Sequence, residues 1–206
     1  SKDTSVSWPY YLKELAGFEE VYDCSQTGAG SAHIFNTIIN EIESDHRLTP
    51  DSTLVVALWP EPTRTDVIAD TTDNHDPYVF KDNLVSRCIY NTPKKDDEFS
   101  RVYKRTVGFD GQIHETAIKM LALKGYLDQL GYTSVFITDQ DYLSLFPFNS
   151  VNRVLDPVAP IVTWCRERGL LAAADDPHPS TNGHLAWVRE CLLPYLAQRA
   201  IVNYKP

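Results

Sequence analysis

Apolar residues recur at helical spacing in some stretches of the chain and form short unbroken runs in others. Residues 8–16 carry Pro9 near a helix start, apolar side chains at helical intervals and Gly17 as a stop, which predicts a short helix. Val21 and Tyr22 predict a brief strand. After the turn-rich residues from Ser25 to Ser31, Ile34, Ile38, Ile39 and Ile42 line one face of a second helix. The run Thr53 to Trp59 follows the turn residues Thr49 to Ser52 and has the length of a strand buried on both faces of a parallel sheet. A second such run, Ser134 to Thr138, follows a long helix in which Ile113, Ala117, Met120, Leu121, Leu127 and Leu130 keep to one side and Gly131 closes the end. Two more amphipathic helices are expected, one on Val158, Ile161, Val162 and Cys165, the other on Leu185, Val188, Leu192 and Tyr195.

That order of elements is the order of an α/β domain with a mostly parallel sheet. Residues 60–109 are rich in Asp, Thr, Asn and Pro and carry no clear period, so they are expected to form a loop-rich insertion within one domain spanning 1–206. The remaining composition narrows the classes. With 43% hydrophobic residues, 9 Gly and 13 Pro, the chain is neither collagen-like nor disordered, and no apolar run approaches the roughly 18 residues that a membrane helix needs. A soluble protein is expected. The formal charge of −9 repels phosphate backbones, and Lys94, Lys95, Arg101, Lys104 and Arg105 are only a modest basic cluster, so nucleic acid is not an expected partner. Cys24, Cys88, Cys165 and Cys191 show no C-x-x-C spacing, which argues against a zinc knuckle or a redox dithiol. Cys165 and Cys191 sit at helical spacing among apolar residues and are expected to be buried thiols.

The densest chemical signal is the segment 173–184, Ala-Ala-Asp-Asp-Pro-His-Pro-Ser-Thr-Asn-Gly-His, just before the last amphipathic helix. A histidine between two prolines is held on a stiff segment. Asp175, three residues earlier, can fold back to accept the Nδ1–H of His178 and leave Nε2 free to take a proton from a nucleophile. Taken alone, the motif favours a plainer reading, in which Asp and Pro start the helix and His178 is a surface residue. A metal site on Asp175, His178 and His184 is weaker still, since the two histidines are six apart rather than four.

Context favours the chemical reading. The segment resembles the C-terminal block of the SGNH hydrolases, the GDSL-type esterases and acylhydrolases, in which D-x-x-H-P precedes a helix-starting stretch ending in Gly-His. Ser7-Trp8-Pro9-Tyr10-Tyr11-Leu12, the small-residue loop from Asp23 to Ile34, and Leu58-Trp59-Pro60-Glu61-Pro62-Thr63-Arg64 follow in the same order as landmarks of a phage and bacterial branch of that family. The resemblance implies a three-layer, flavodoxin-like fold and acyl transfer from an ester, of a glycan, a lipid or another small molecule, to water. It implies no metal and no cofactor. It casts Ser1 as nucleophile, His178 as base, Asp175 as orienter and Gly28 as an oxyanion donor, with Ser31, Trp59 and Arg64 lining the substrate or oxyanion site. Since the family's nucleophile directly follows the first strand, such a strand is expected ahead of Ser1.

Several of these residues have a second reading. Ser1 is otherwise a plain polar residue, and an N-terminal nucleophile using its own amine would leave Asp175 and His178 unemployed. Ser7 is expected to cap the first helix and Ser31 the second. Gly28 also suits an ordinary turn, Arg64 suits an ion pair, and Trp59 suits the core. The family's third-block Asn has no counterpart in Trp59-Pro60-Glu61-Pro62, and proline has no N–H to offer instead. Loss of one such donor is typically worth about 10²–10³ in rate. A catalytically degraded SGNH-like binding module, of a virion or a cell surface, is therefore the competing expectation.

Overall fold

The computed structural model describes residues 7–25, 29–62, 64, 108–146, 149–173 and 175–204. It is a mixed helix and strand structure with a small parallel sheet, an α/β arrangement. The chain divides into two units interleaved in sequence. One is drawn from Ser1–Asp23, Asp139–Asp141 and Pro157–Pro206, the other from Cys24–Thr138 and Tyr142–Asp156.

The second unit contains the parallel pair. Strand β1 (Leu54–Trp59) and strand β2 (Thr133–Thr138) run side by side in register from Leu54 opposite Thr133 to Trp59 opposite Thr138. β2 is buried from Ser134 onwards, as its unbroken apolar run predicts. β1 differs from expectation: Val55, Ala57 and Trp59 are buried while Leu54, Val56 and Leu58 are only half-buried, so the strand has one fully covered face. Both backbone groups of Phe136 are taken by Asp156, whose Oδ2 accepts from Phe136 N at 2.7 Å and whose N–H donates to Phe136 O at 2.8 Å. One aspartate thus does at that residue what a neighbouring strand would do.

Helix α2 (Ser31–Ser44) and helix α3 (Gly108–Leu130) cover the buried face of β1. Ile113, Ala117, Met120, Leu123 and Leu127 are the inward stripe of α3, spaced three and four apart, and Ile34, Phe35, Ile38, Ile39 and Ile42 of α2 pack against the same core. Leu130, expected on that stripe, is exposed, because the helix is already turning out into its cap. There Gly131 takes φ +84, and Tyr132 N–H bonds back to Leu127 O at 2.9 Å, closing the helix as only a left-handed residue allows. Ser31 bonds near Thr116 and Tyr126 bonds Glu43, so α2 and α3 run in the same direction with their N-termini at one end.

The first unit is mostly helical. Helix α1 (Trp8–Ala16) has Ser7 at its N-cap, though without a side-chain capping bond, and it ends at Gly17 with φ +75. Trp8 meets Trp187 edge-on, ring centroids 6.1 Å apart. Val21 and Tyr22 form no strand; two apolar residues flanked by Glu19, Glu20 and Asp23 give too short an alternation to bury. Short helix α4 (Val151–Val154) belongs to the second unit, and α5 (Ile161–Glu167) opens the C-terminal part of the first. Val158 is buried but lies ahead of α5, whose start is set by Pro160 at the N-cap.

Strands β3 (Leu171–Ala173) and β4 (Asp176–Pro179) pair antiparallel with a shift of register between Leu171 and Ala173, and helix α6 (Thr181–Trp187) follows. The last helix is not continuous. Residues Val188–Leu192 form a π-helical turn in which Leu193 N–H reaches Val188 O, before α7 (Leu193–Gln198) resumes. Pro194 supplies the cause: it has no N–H to give to residue 190, and its ring would crowd that carbonyl in an ordinary α-turn.

Candidate functional site

The segment bearing His178 is built by its own sequence. Asp176 and His178 each precede a proline, which biases both toward extended backbone, and they occupy β4. A strand of alternating prolines cannot donate at those positions, which a short two-stranded pair tolerates. At its end Ser180 caps α6: its Oγ accepts from Gly183 N at 3.0 Å and donates to Leu170 O at 2.8 Å, and Ser180 N–H also reaches Leu170 O at 2.9 Å. Gly183 is required by this turn, because a Cβ there would lie 2.5 Å from Leu170 O.

The imidazole of His178 is held by a carboxylate, but that of Asp176 rather than Asp175. Asp176 Oδ1 lies 2.6 Å from His178 Nδ1 and 2.9 Å from His178 N, an Asx-type turn closed twice by one oxygen. A carboxylate only accepts, so Nδ1 carries the proton and Nε2 is left as the free acceptor. His178 is 72% exposed in its side chain and Asp176 42%. The backbone N–H of His178, and then its ring, hold the Asp176 carboxyl below the usual carboxylate range. Asp175 is exposed and makes no bond to His178. His184, on α6, is the other histidine of the segment. Burial, and to a smaller degree the charge on His178, push its pKa down. Its Nδ1 is buried without a hydrogen-bond partner. Among the described residues no three His, Cys, Asp or Glu side chains converge to hold a metal ion, so Asp175, His178 and His184 form no such cluster.

Ser31, Trp59 and Arg64 belong to the second unit, at the end where α2 and α3 begin and β1 finishes. Ser31 is not the cap of α2; Gly30 holds that position, and Ser31 is 2% exposed inside the first turn. Its N–H donates to Arg64 O at 3.4 Å, and its Oγ is 3.2 Å from Thr116 Oγ1, which also reaches Pro62 O at 3.3 Å. Arg64 is tied by its own N–H to Glu61 O at 2.9 Å. Trp59 is wholly buried against Phe136, with ring centroids 5.6 Å apart, so it is a core residue whose indole N–H has no partner. Gln112, one turn before Thr116 on α3, is likewise 2% exposed with its Oε1 unpaired. Neither Gln112 nor Thr116 was marked by the apolar pattern, which registers only apolar positions. Ser1 and Gly28 lie outside the described residues, as does Cys88.

The structure joins His178 to Asp176 within the first unit, and Ser31 to Thr116, Pro62 and Arg64 within the second. No described helix is long and apolar enough to cross a membrane. Compared with known proteins, the chain significantly matches no family model, no curated protein and no solved structure.

Proposed function

We propose that this protein is a serine-dependent hydrolase of ester bonds with a flavodoxin-like SGNH fold. The observation that supports it best is the His178 imidazole, held through Nδ1 by a carboxylate with Nε2 open, as a general base is arranged. In this reading Ser1 Oγ attacks the ester carbonyl, His178 Nε2 takes its proton and returns it to the leaving alcohol, and water repeats the cycle on the acyl-enzyme. An aspartate steadies the imidazolium, and the backbone N–H groups of Ser1 and Gly28 receive the oxyanion. The order of landmarks along the chain adds support, from Trp8-Pro9 through Trp59 and Arg64 to Pro177-His178-Pro179.

The test is His178→Ala assayed on a short-chain nitrophenyl ester, with circular dichroism to show that the fold persists. Hydrolysis should be lost; unchanged turnover would sink the mechanism. The competing reading, a degraded SGNH-like module that binds glycan or protein without hydrolysing it, draws on the lack of an Asn donor in Trp59-Pro60-Glu61-Pro62. A fluorophosphonate probe separates the two. Covalent labelling at Ser1 supports the enzyme, and its absence on a complete chain supports the binding module.

A further inference from the structure

We infer that His184 makes helix α6 an acid-sensitive fastening for the segment that carries His178, closed while the His184 ring is neutral and loosened when the ring must take a second proton. Only its consequence for hydrolysis rests on the proposed function. A neutral imidazole needs one N–H, and with that proton on Nε2 its Nδ1 is a bare lone pair. The cation carries N–H on both nitrogens. In α6 the Nδ1 atom of His184 is buried with no hydrogen-bond partner, so the second proton creates a buried, charged donor with nothing to receive it. A chain with α6 opened to water takes the same proton without that cost.

The surroundings offer no compensating charge. α6 packs against α1, α5, β4 and the π-helical turn, all in the first unit. α1 brings Tyr10, Tyr11, Lys13 and Glu14, and α5 brings Cys165, Arg166 and Glu167, with Arg168 just beyond it. The turn brings Arg189, Glu190 and Cys191, and β4 brings Asp176 and His178. Glu14, Glu167 and Glu190 are exposed, and the Asp176 carboxylate is engaged with His178. Of these charges, the one that acts on His184 is that of His178, which has the same sign as the His184 cation; burial first, and this charge second, push the His184 pKa below its ordinary 6.5. The folded form then binds fewer protons than the unfolded one. Stability complete above about pH 6.5 is lost as the pH falls below it toward the lowered folded value. The cap links this loss to the candidate base: Ser180 N and Oγ both bond Leu170 O, and Gly183 lies against the same carbonyl, so opening α6 frees the end of β4. Under the hydrolase reading, mild acid thereby disarranges the His178 segment.

The experiment follows amide hydrogen exchange in α6 on the full chain, wild type against His184→Gln, at pH 7.5 and pH 5. Taking the ratio of wild-type to variant rates at each pH cancels intrinsic exchange and any constant effect of the substitution. That ratio should rise about threefold or more on going to pH 5, because only the wild type takes up the extra proton on opening. An unchanged ratio overturns the inference. A second measurement needs no variant: ring NMR of the wild-type chain should find His184 titrating below 6.5, and a value at or above it overturns the inference equally. Neither readout uses an ester, so a chain that hydrolyses none defeats the proposed function and leaves the fastening to be judged on its own.

Discussion

Two glycines, both inside helices, should respond to alanine with opposite signs. At Gly183 a Cβ would lie 2.5 Å from Leu170 O, 3.1 Å from Cys165 Sγ and 3.4 Å from Leu170 Cβ. The nearest of these atoms is backbone, and to reach ordinary contact it must move by about 0.9 Å. That carbonyl already accepts from Ser180 N at 2.9 Å and Ser180 Oγ at 2.8 Å, so the movement strains the cap of α6 together with the turn after β4. Overpacking of this kind costs about 1–3 kcal/mol, weakening of the two hydrogen bonds about 1–2 kcal/mol more, and the better helix propensity of alanine returns about 1 kcal/mol. The net expectation for Gly183→Ala is a loss of about 1–4 kcal/mol, or roughly 2–16 °C in Tm for a chain of this size. Gly125, in the middle of α3, has nothing within 4 Å of its Cβ position. Gly125→Ala should therefore stabilise by about 0.5–1 kcal/mol, through a smaller loss of backbone entropy on folding. Urea and thermal unfolding followed by circular dichroism measure both. A Gly183→Ala protein as stable as the wild type would refute the close approach of α6 to Leu170, and with it the account of how the His178 segment is anchored.

Two further expectations concern the second unit. Gln112 is buried with an unpaired Oε1, so Gln112→Leu should raise stability by about 1 kcal/mol, whereas a clear drop in the urea midpoint would show that the carboxamide has a partner the side chains do not supply. Tyr126 donates to Glu43, and that bond, with burial and the Glu43 charge behind it, pushes the phenol from 10.0 up to about 12. A folded-state pKa raised above the unfolded one gives stability that is complete below pH 10 and is lost as the pH rises toward about 12. Ultraviolet titration should find one tyrosine fewer ionising near pH 10 in the wild type than in Glu43→Gln, and identical curves would disprove the coupling.

Much of the fold was legible because the residues that build it also carry a period. The stripe Ile113, Ala117, Met120 and Leu127, the apolar runs of β1 and β2, and the stops at Gly17 and Gly131 all lie where spacing and backbone freedom place them. Expectations failed where a neighbour outweighed local pattern. Val21 and Tyr22 had the residue types of a strand but too few of them, Ser31 entered the helix because Gly30 already stood at the cap, and Pro194 opened a π-turn that apolar spacing does not foresee. Polar residues on covered faces, such as Gln112 and Thr116, escape a reading that counts only apolar positions.

The histidine segment shows a different kind of miss, since the signal was in the sequence. Spacing by family resemblance, D-x-x-H, selected Asp175, while an Asx-type turn, which an aspartate followed by proline favours, sets the Asp176 carboxylate against both the ring and the backbone N–H of residue 178. Backbone chemistry and motif spacing made conflicting statements about one carboxylate. The hydrogen bond between Asp176 and His178 sides with the backbone. The same logic bears on any Asp-Pro-His: proline's fixed φ suits the second position of an Asx turn, so the aspartate two residues before the histidine can accept its backbone N–H and meet its ring with one oxygen.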